Sequence, residues 1–297
     1  MKDISGKAAF VTGGASGIGL GLAQAFAEAG VKVAIADVRE DHLARAVDQL
    51  SGQGEFHFIR LDVTDRAAFA AAADKAEARL GPVSILCNNA GVGVLGDAKA
   101  NRYADWDWTL AVNIGGVVNG VQTFLPRMLE RAQGGHIVNT SSIGGMLPMP
   151  GGTAYITSKA AVIGMSEALY SDLHSENIGV TVLIPGPTTT NIHEVAKLRP
   201  ASYADTGLKE IEDKLAQGPL FDNGLAPLES GRMVIEAIRA NQLYLFTHAE
   251  FRAGVAQRFA AIMTGFRPGA ENRTAADSYG FPTYNQLFAD IAARQDH

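Results

Sequence analysis

The sequence predicts an α/β fold built on a doubly wound parallel sheet, and three observations predict it. Short apolar runs rich in β-branched residues recur along the 297-residue chain, each followed by a longer segment with the apolar spacing of a helix. The runs are apolar throughout rather than alternating, which is typical of strands covered on both faces of a parallel sheet. Strict alternation of strand and helix, with right-handed crossovers, then winds helices onto both faces.

The predicted strands and helices alternate along most of the chain. The predicted strands cover residues 8–12, 32–36, 56–61, 84–87, 136–140 and 180–184. The predicted helices cover residues 18–29, 40–50, 66–79, 103–131 and 153–176. The run LYLFTH at 243–248 predicts one more strand. Because no internal repeat or low-complexity linker divides this region, residues 1–250 are predicted to form a single domain.

Beyond the sixth predicted strand the pattern becomes irregular. Residues about 187–226 mix Pro, Gly and polar residues with a short helical piece at 209–217, which predicts a substrate lid. Residues 251–297 are predicted to form a C-terminal helix and tail, with helical spacing at 284–294. This tail either packs on its own subunit, or it is an arm that reaches a neighbouring subunit or rims the pocket.

Composition excludes several classes of function. The formal net charge is −6 and no basic run stands out, so no nucleic-acid partner is expected. The N-terminal segment lacks the pattern of a signal peptide, and no apolar stretch approaches the ~20 residues of a membrane span, so we expect a cytoplasmic protein. The single cysteine, Cys87, excludes an internal disulfide. The histidines show no metal-binding spacing, so no metal site is predicted.

A glycine-rich turn, TGGASGIG at residues 12–19, lies between the first predicted strand and the first predicted helix. Glycines let the backbone turn tightly and approach a diphosphate without a clash from Cβ, and the helix N-terminus presents free N–H groups to that anion. Such a turn alone is weak support, but its place between strand and helix predicts a Rossmann-type nucleotide site. The predicted contacts are Gly13, Ser16, Gly17, Ile18 and Gly19.

Asp37 ends the second predicted strand, 18 residues after Gly19. An acid about 20 residues beyond the glycine turn binds the adenosine ribose hydroxyls and repels a 2′-phosphate, so NAD is predicted in preference to NADP. Arg39 keeps NADP open as an alternative, because a guanidinium two residues further on could bind that phosphate.

Tyr155 and Lys159 are four residues apart on a predicted helix and therefore point into the same cleft. A phenol has a pKa of ~10, too high for a useful base near neutrality. A lysine ammonium ~4 Å away could contribute on the order of 4 kcal/mol to the phenolate. Together with an oxidised nicotinamide, that charge is expected to lower the pKa of the phenol toward the working pH.

Further motifs resemble those of the short-chain dehydrogenase/reductase family over roughly residues 5–250. NNAG at 88–91 follows the fourth predicted strand, Tyr155 and Lys159 form the YxxxK motif, and Pro185-Gly186 follows the sixth strand. Three more motifs contain Asp62, Asn113 and Ser142, which makes six motifs in the order found in the family. A chance match to all six is very improbable. The resemblance implies a nicotinamide-dependent oxidoreductase that acts on a small-molecule substrate, an alcohol or a ketone, and that forms a homodimer or homotetramer.

The resemblance also implies the roles of individual residues. The catalytic set is Asn113, Ser142, Tyr155 and Lys159. Ser142 is chosen over its neighbour because 13 residues separate it from the tyrosine, as in the family. Thr188 stands where the family more often has Ile or Val. The cofactor contacts implied beyond the glycine turn and Asp37 are Asp62, Val63, Asn89, Ala90, Gly91, Tyr155, Lys159, Pro185, Gly186, Thr188 and Thr190.

The substrate is predicted to be bulky and apolar or aromatic. Met146, Met149, Ile192 and His193 are the predicted substrate contacts. Stretches such as YADWDW at 103–108 are similar to bacterial Cα-dehydrogenases of lignin-derived β-aryl ethers, which oxidise a benzylic alcohol with NAD. Two alternatives remain open: an NADP-dependent carbonyl reductase, and a catalytically silent relative that binds nucleotide.

Overall fold

The computed structural model describes residues 1–215, 223–267, 269 and 283–293. All seven strands of its sheet run parallel, in the order β3-β2-β1-β4-β5-β6-β7. The strands are β1 Ala8–Thr12, β2 Lys32–Asp37, β3 Phe56–Arg60, β4 Val83–Asn88, β5 Gly135–Thr140, β6 Ile178–Ile184 and β7 Tyr244–Phe246. The predicted Rossmann-like fold is thus confirmed, with LYLFTH supplying the seventh strand.

Helices cover both faces of the sheet. Along the described residues the helices are α1 Gly17–Glu28, α2 Glu40–Gln49, α3 Arg66–Leu80, α4 Tyr103–Leu110, α5 Gly116–Arg131, α6 Ile143–Met146, α7 Thr153–Asp172, α8 Val195–Leu198, α9 Lys209–Leu215, α10 Pro227–Ala240, α11 Arg252–Met263 and α12 Gln286–Ala293. Helices α1, α2 and α10 share a buried apolar core with residues of the sheet. Helices α3 and α5 pack on the other face, where Phe10 of β1 lies 4.9 Å from Phe124 of α5 between ring centroids.

Two predicted helices differ in detail from those observed. The predicted helix over 103–131 is continuous, but a π-helical segment, Ala111–Gly115, separates α4 from α5. The predicted helix over 153–176 ends earlier, at Asp172, and the chain turns through Asn177, whose φ is +54°. Asparagine tolerates this left-handed conformation better than most residues, which allows the sharp entry into β6.

The segment after β6 leaves the sheet, and its two ends bond to each other. Leu225 N donates to Pro187 O at 2.9 Å, and Thr189 N donates to Leu225 O at 3.1 Å, so the two ends of the predicted lid meet. Residues 216–222 of that lid, including the last two of the predicted helix 209–217, lie outside the described residues.

The chain forms two compact units, Met1–Ala249 and Glu250–His297. The second contains α11 and α12, and neither helix has a buried residue. The predicted helix 284–294 corresponds to α12, and Arg294 lies outside the described residues. Within the described part of the chain, no helix is both long and apolar enough to cross a membrane.

Candidate active site

A cleft of about 220 Å³ lies at the carboxyl ends of the strands in the first unit. The strand order reverses between β1 and β4, and a reversal of this kind opens a crevice in a doubly wound sheet. The cleft brings together most of the predicted cofactor residues. Those that line it are Gly13, Ser16, Gly17, Ile18, Asp37, Asp62, Val63, Asn89, Ala90, Gly91, Tyr155, Lys159, Pro185 and Thr190.

The glycine turn fits a bound diphosphate because the backbone at Gly13 and Gly19 lies too close to neighbouring atoms for a side chain. A Cβ on Gly19 would lie 2.0 Å from Gly13 O, and one on Gly13 would lie 2.9 Å from Ala90 Cα. Gly13 and Gly17 also have φ values of +61° and +49°, which favour glycine. Since α1 begins at Gly17, its first free N–H groups lie at the cleft, where an anion would be stabilised.

Asp37 ends β2 and lines the same cleft. Its side chain is only 7% exposed, and its two oxygens accept hydrogen bonds from Ala15 N at 3.2 Å and Arg39 N at 3.0 Å. Burial raises the pKa of this carboxyl, while the two backbone hydrogen bonds act in the opposite direction. The first of these bonds fixes the acid to the glycine turn.

Asn89 joins the ends of three strands beneath the cleft. Its Nδ2 donates to Thr12 O at 3.1 Å, and the backbone N–H groups of Asn89 and Ala90 donate to Thr12 Oγ1 at 2.9 and 3.0 Å. Thr140 Oγ1 donates to Asn89 Oδ1 at 3.2 Å. The NNAG motif therefore holds β1, β4 and β5 in register where the cleft opens.

Tyr155 and Lys159 lie on one face of α7, with Ser142 beside them. Lys159 Nζ is 5.7 Å from the centroid of the Tyr155 ring and donates to Thr140 O at 2.9 Å. The hydroxyl groups of Ser142 and Tyr155 share a hydrogen bond. Ser141 differs from its neighbour, because its Oγ donates to Lys159 O at 2.7 Å and so braces the main chain of α7.

Burial controls the proton affinities of both groups. Burial raises the pKa of Tyr155, and the hydrogen bond to Ser142 opposes this rise. Burial also lowers the pKa of Lys159 to about 8. In the protein alone, desolvation of Tyr155 therefore outweighs the Ser142 hydrogen bond, whereas the lower pKa predicted from the sequence includes the charge of a bound oxidised nicotinamide.

Asn113 lies in the π-helical segment between α4 and α5 and is 1% exposed. Its Oδ1 accepts from Val92 N at 2.8 Å, while its Nδ2 donates to Val92 O at 3.1 Å and to Ser158 Oγ at 3.0 Å. A π segment places its residues differently from a regular helix and is common at functional sites. These bonds occupy both ends of the side-chain amide and join α7 to the loop after β4.

Comparisons with known proteins bear directly on this geometry. The sequence model of the family described as short chain dehydrogenase matches residues 7–200. The chain belongs to the short-chain dehydrogenase family. The C alpha-dehydrogenase of Sphingobium sp. strain SYK-6 is 39% identical over 285 residues, which cover 93% of each chain.

Solved structures of the family agree with the fold. A short-chain dehydrogenase/reductase from Burkholderia phymatum, solved in complex with NAD, is 34% identical with a TM-score of 0.83, covering 92% of this chain and 99% of its own. LigO from Sphingobium sp. strain SYK-6, solved in its apo form, is 38% identical with a TM-score of 0.74, covering 100% and 96% of the two chains. The predicted resemblance to the family and to its Cα-dehydrogenase branch is thus confirmed.

Several predicted residues do not line the cleft of this family member. Thr188 is buried and its Oγ1 donates to Gly186 O at 3.2 Å, while Gly186 N donates to Thr247 Oγ1 at 3.1 Å. Met146 packs inside the protein, and Met149 is 57% exposed on the loop after α6. Ile192 does line the cleft, whereas His193 does not, and its buried Nδ1 has no hydrogen-bond partner among the described residues.

The apolar wall of the cleft includes residues that sequence reasoning missed. They come from the loop after β4, from α4 and the π segment, and from the segment after β6. Those residues are Val92, Trp108, Val112 and Pro200, and Val195 and Leu198 of the predicted lid line the cleft beside them. The stretch YADWDW is similar to the Cα-dehydrogenases, but no local pattern in it indicates that Trp108 faces the cleft.

A buried ion pair fastens the predicted lid to α4. Arg199 Nη2 lies 2.9 Å from Asp105 Oδ1 and also contacts Glu212, and the guanidinium lies 4.7 Å from the centroid of the Trp108 ring. The Arg199 and Asp105 side chains are 7% and 0% exposed. A buried charge without its partner is costly, so these contacts define where the lid lies against the cleft.

Proposed function

We propose that this protein is an NAD-dependent oxidoreductase that interconverts a secondary alcohol and a ketone. The observation that carries the proposal is that Tyr155 and Lys159 line the same cleft as Asp37, with Ser142 beside Tyr155. A general base, a hydroxyl that holds the substrate oxygen and a buried cation are the groups that removal of an alcohol proton requires. Membership of an oxidoreductase family supports the same chemistry.

The residues of the cleft fit a dinucleotide. The N-terminus of α1 at Gly17 would bind the diphosphate, Asp37 the adenosine ribose, and Asp62 and Val63 the adenine. Lys159 would hold the nicotinamide ribose. When bound, the oxidised nicotinamide supplies a hydride acceptor and a positive charge.

Residues of the protein accept and return the proton of the substrate hydroxyl. Tyr155 Oη would accept the proton of the substrate hydroxyl during oxidation and return it during reduction. Ser142 would donate a hydrogen bond to the substrate oxygen, and its contact with Tyr155 favours the phenolate. The side-chain amide of Asn113 is fully engaged, so we assign to that side chain the positioning of α7, and a water that passes the proton to solvent would have to bind the main chain of this residue.

The substrate we propose is bulky and aromatic. The wall formed by Trp108, Val112, Leu198 and Pro200 is apolar, and an aromatic ring is stabilised when its apolar surface is buried against such a wall. The likeness to the Sphingobium C alpha-dehydrogenase supports a benzylic alcohol of a lignin-derived aryl ether. A small hydroxy acid fits poorly, because a charged carboxylate would lose its hydration against this wall.

The test mixes purified full-length protein with NAD or NADP and a panel of aryl secondary alcohols, and follows reduced nucleotide by its absorbance. We expect turnover of benzylic alcohols with NAD and much slower turnover of small aliphatic alcohols. Nucleotide binding without turnover in either direction would instead support the silent relative. Faster turnover with NADP would support the carbonyl reductase.

Ser142→Ala gives a prediction on pH dependence. Oxidation requires the deprotonated phenol, so its rate should rise with pH, and reduction should show the opposite trend. The Ser142 hydrogen bond lowers the pKa of Tyr155. Its removal should therefore move the rising limb of the plot of oxidation rate against pH to higher pH. We also expect about a hundred-fold loss of kcat, since a hydrogen bond to the reacting oxygen is lost.

The matched control for this prediction is Ser141→Ala, which removes the adjacent hydroxyl. Although Ser141 lines the cleft, its hydroxyl donates to the main chain of α7 and not to Tyr155, so the rising limb should stay where it is in the wild type. An unchanged limb in Ser142→Ala, or an equal shift in both variants, would contradict the assigned role of Ser142.

A further inference from the structure

Arg39 lies at the adenosine end of the cleft, two residues after Asp37, and its guanidinium is already engaged. Nε and Nη2 donate to the two carboxylate oxygens of Asp41 at 2.9 and 2.5 Å. Nη1 donates to Glu194 Oε2 at 2.6 Å. The Arg39 side chain is 17% exposed, so it has little freedom to leave these partners. Two carboxylates therefore bind the Arg39 guanidinium, which the sequence alone allowed as a ligand of a 2′-phosphate.

Glu194 reaches Arg39 from a distant part of the chain, 155 residues along the sequence, in the segment after β6. Lys197 Nζ lies 2.7 Å from its other oxygen. A second contact supports the same arrangement, because Asn191 Nδ2 lies 3.4 Å from His42 Nε2 at the start of α2. The predicted lid is thus fastened to the connection between β2 and α2 at two points.

The two carboxylates do not hold Arg39 equally well. Asp41 is 57% exposed and shares its charge with Arg45, whereas Glu194 is 20% exposed. Exposed ion pairs stabilise weakly because water screens them and the side chains lose freedom. Asp41 binds Nε and Nη2 together, whereas Glu194 alone binds Nη1, so loss of Glu194 would free the Nη1 donors of Arg39 at the cleft.

We propose that Glu194 determines nucleotide choice by holding Arg39 away from the position of a 2′-phosphate. This inference rests on the proposed function in requiring a nicotinamide nucleotide in the cleft. Asp37 disfavours the phosphate directly, and Glu194 occupies a nearby cation, Arg39, that would compensate for it. An arginine released from this pair presents free N–H donors, and arginine binds phosphate strongly in that form.

The experiment titrates the full-length protein with NADH and with NADPH, following nucleotide fluorescence without any alcohol. In Glu194→Ala we expect the ratio of the NADPH Kd to the NADH Kd to fall about ten-fold from the wild-type ratio. Glu194→Gln, which keeps the size of the side chain, should shift the ratio in the same direction. Glu210→Ala is the matched control, since it removes an exposed carboxylate from the same segment, and it should leave the ratio unchanged.

A double variant tests whether Glu194 affects the ratio of dissociation constants through Arg39. With Arg39→Met as the background, Glu194→Ala should no longer change the ratio. Equal changes in both dissociation constants, an equal effect of Glu210→Ala, or an effect that persists without Arg39 would each overturn the proposal. Wild-type protein that binds neither nucleotide would overturn the proposed function as well. Nucleotide selection as expected without turnover of any alcohol would leave this proposal intact and contradict only the proposed reaction.

Discussion

Tyr155→Phe is expected to lower kcat by about a thousand-fold, within the ~10²–10⁴ range of general acid–base catalysis. The substitution removes only the phenolic oxygen, so the ring that lies 5.7 Å from Lys159 Nζ remains in place. The glycine turn and Asp37 are unchanged, and the Kd for NADH should stay within about two-fold of the wild-type value. Steady-state kinetics and fluorescence titration on the same preparation would measure both effects.

Tyr170→Phe is the matched control, because Tyr170 lies on the same helix but does not line the cleft. It loses one hydroxyl from α7, and it should keep the wild-type kcat. Substantial activity in Tyr155→Phe would show that another group is the base. A similar loss in both variants would show that the effect comes from the packing of α7 rather than from proton transfer.

Much of the fold was predictable because buried parallel strands leave a strong local pattern. The runs at β1, β2 and β6 are almost wholly apolar, and each is bounded by turn residues. The glycine turn was equally clear, since its tight backbone requires glycine at positions such as Gly19. Local sequence therefore indicated both the sheet and the place where its crevice opens.

Other parts of the site depend on contacts between distant residues, which no local pattern reveals. The Arg39–Glu194 pair and the Arg199–Asp105 pair both connect the segment after β6 to distant helices or loops. The π segment at Asn113 has the same apolar spacing as a regular helix, so periodicity could not locate it. The raised pKa of Tyr155 likewise follows from burial, which depends on the folded cleft rather than on the spacing of Tyr155 and Lys159.

Gly19→Ala is expected to abolish nucleotide binding at ordinary concentrations while the sheet still folds. The added Cβ would lie 2.0 Å from Gly13 O and 2.7 Å from Asn89 Nδ2, so the turn must open. Displacement of a binding group by about 1 Å can cost ~10²-fold, and we expect the Kd for NADH to rise by at least that factor. Overpacking should also lower the free energy of unfolding by about 1–3 kcal/mol.

Gly164→Ala separates the effect on the turn from the general effect of glycine replacement in a helix. Gly164 lies on α7, and a Cβ there would meet nothing within 4 Å. Alanine loses less chain entropy than glycine on folding, so this variant should be more stable by about 0.5–1 kcal/mol with an unchanged Kd for NADH. Chemical denaturation and nucleotide titration of both variants would test the pair. Normal NADH affinity in Gly19→Ala would mean that the backbone of residues 13–19 is not the diphosphate site, and the nucleotide would then have to bind elsewhere in the cleft.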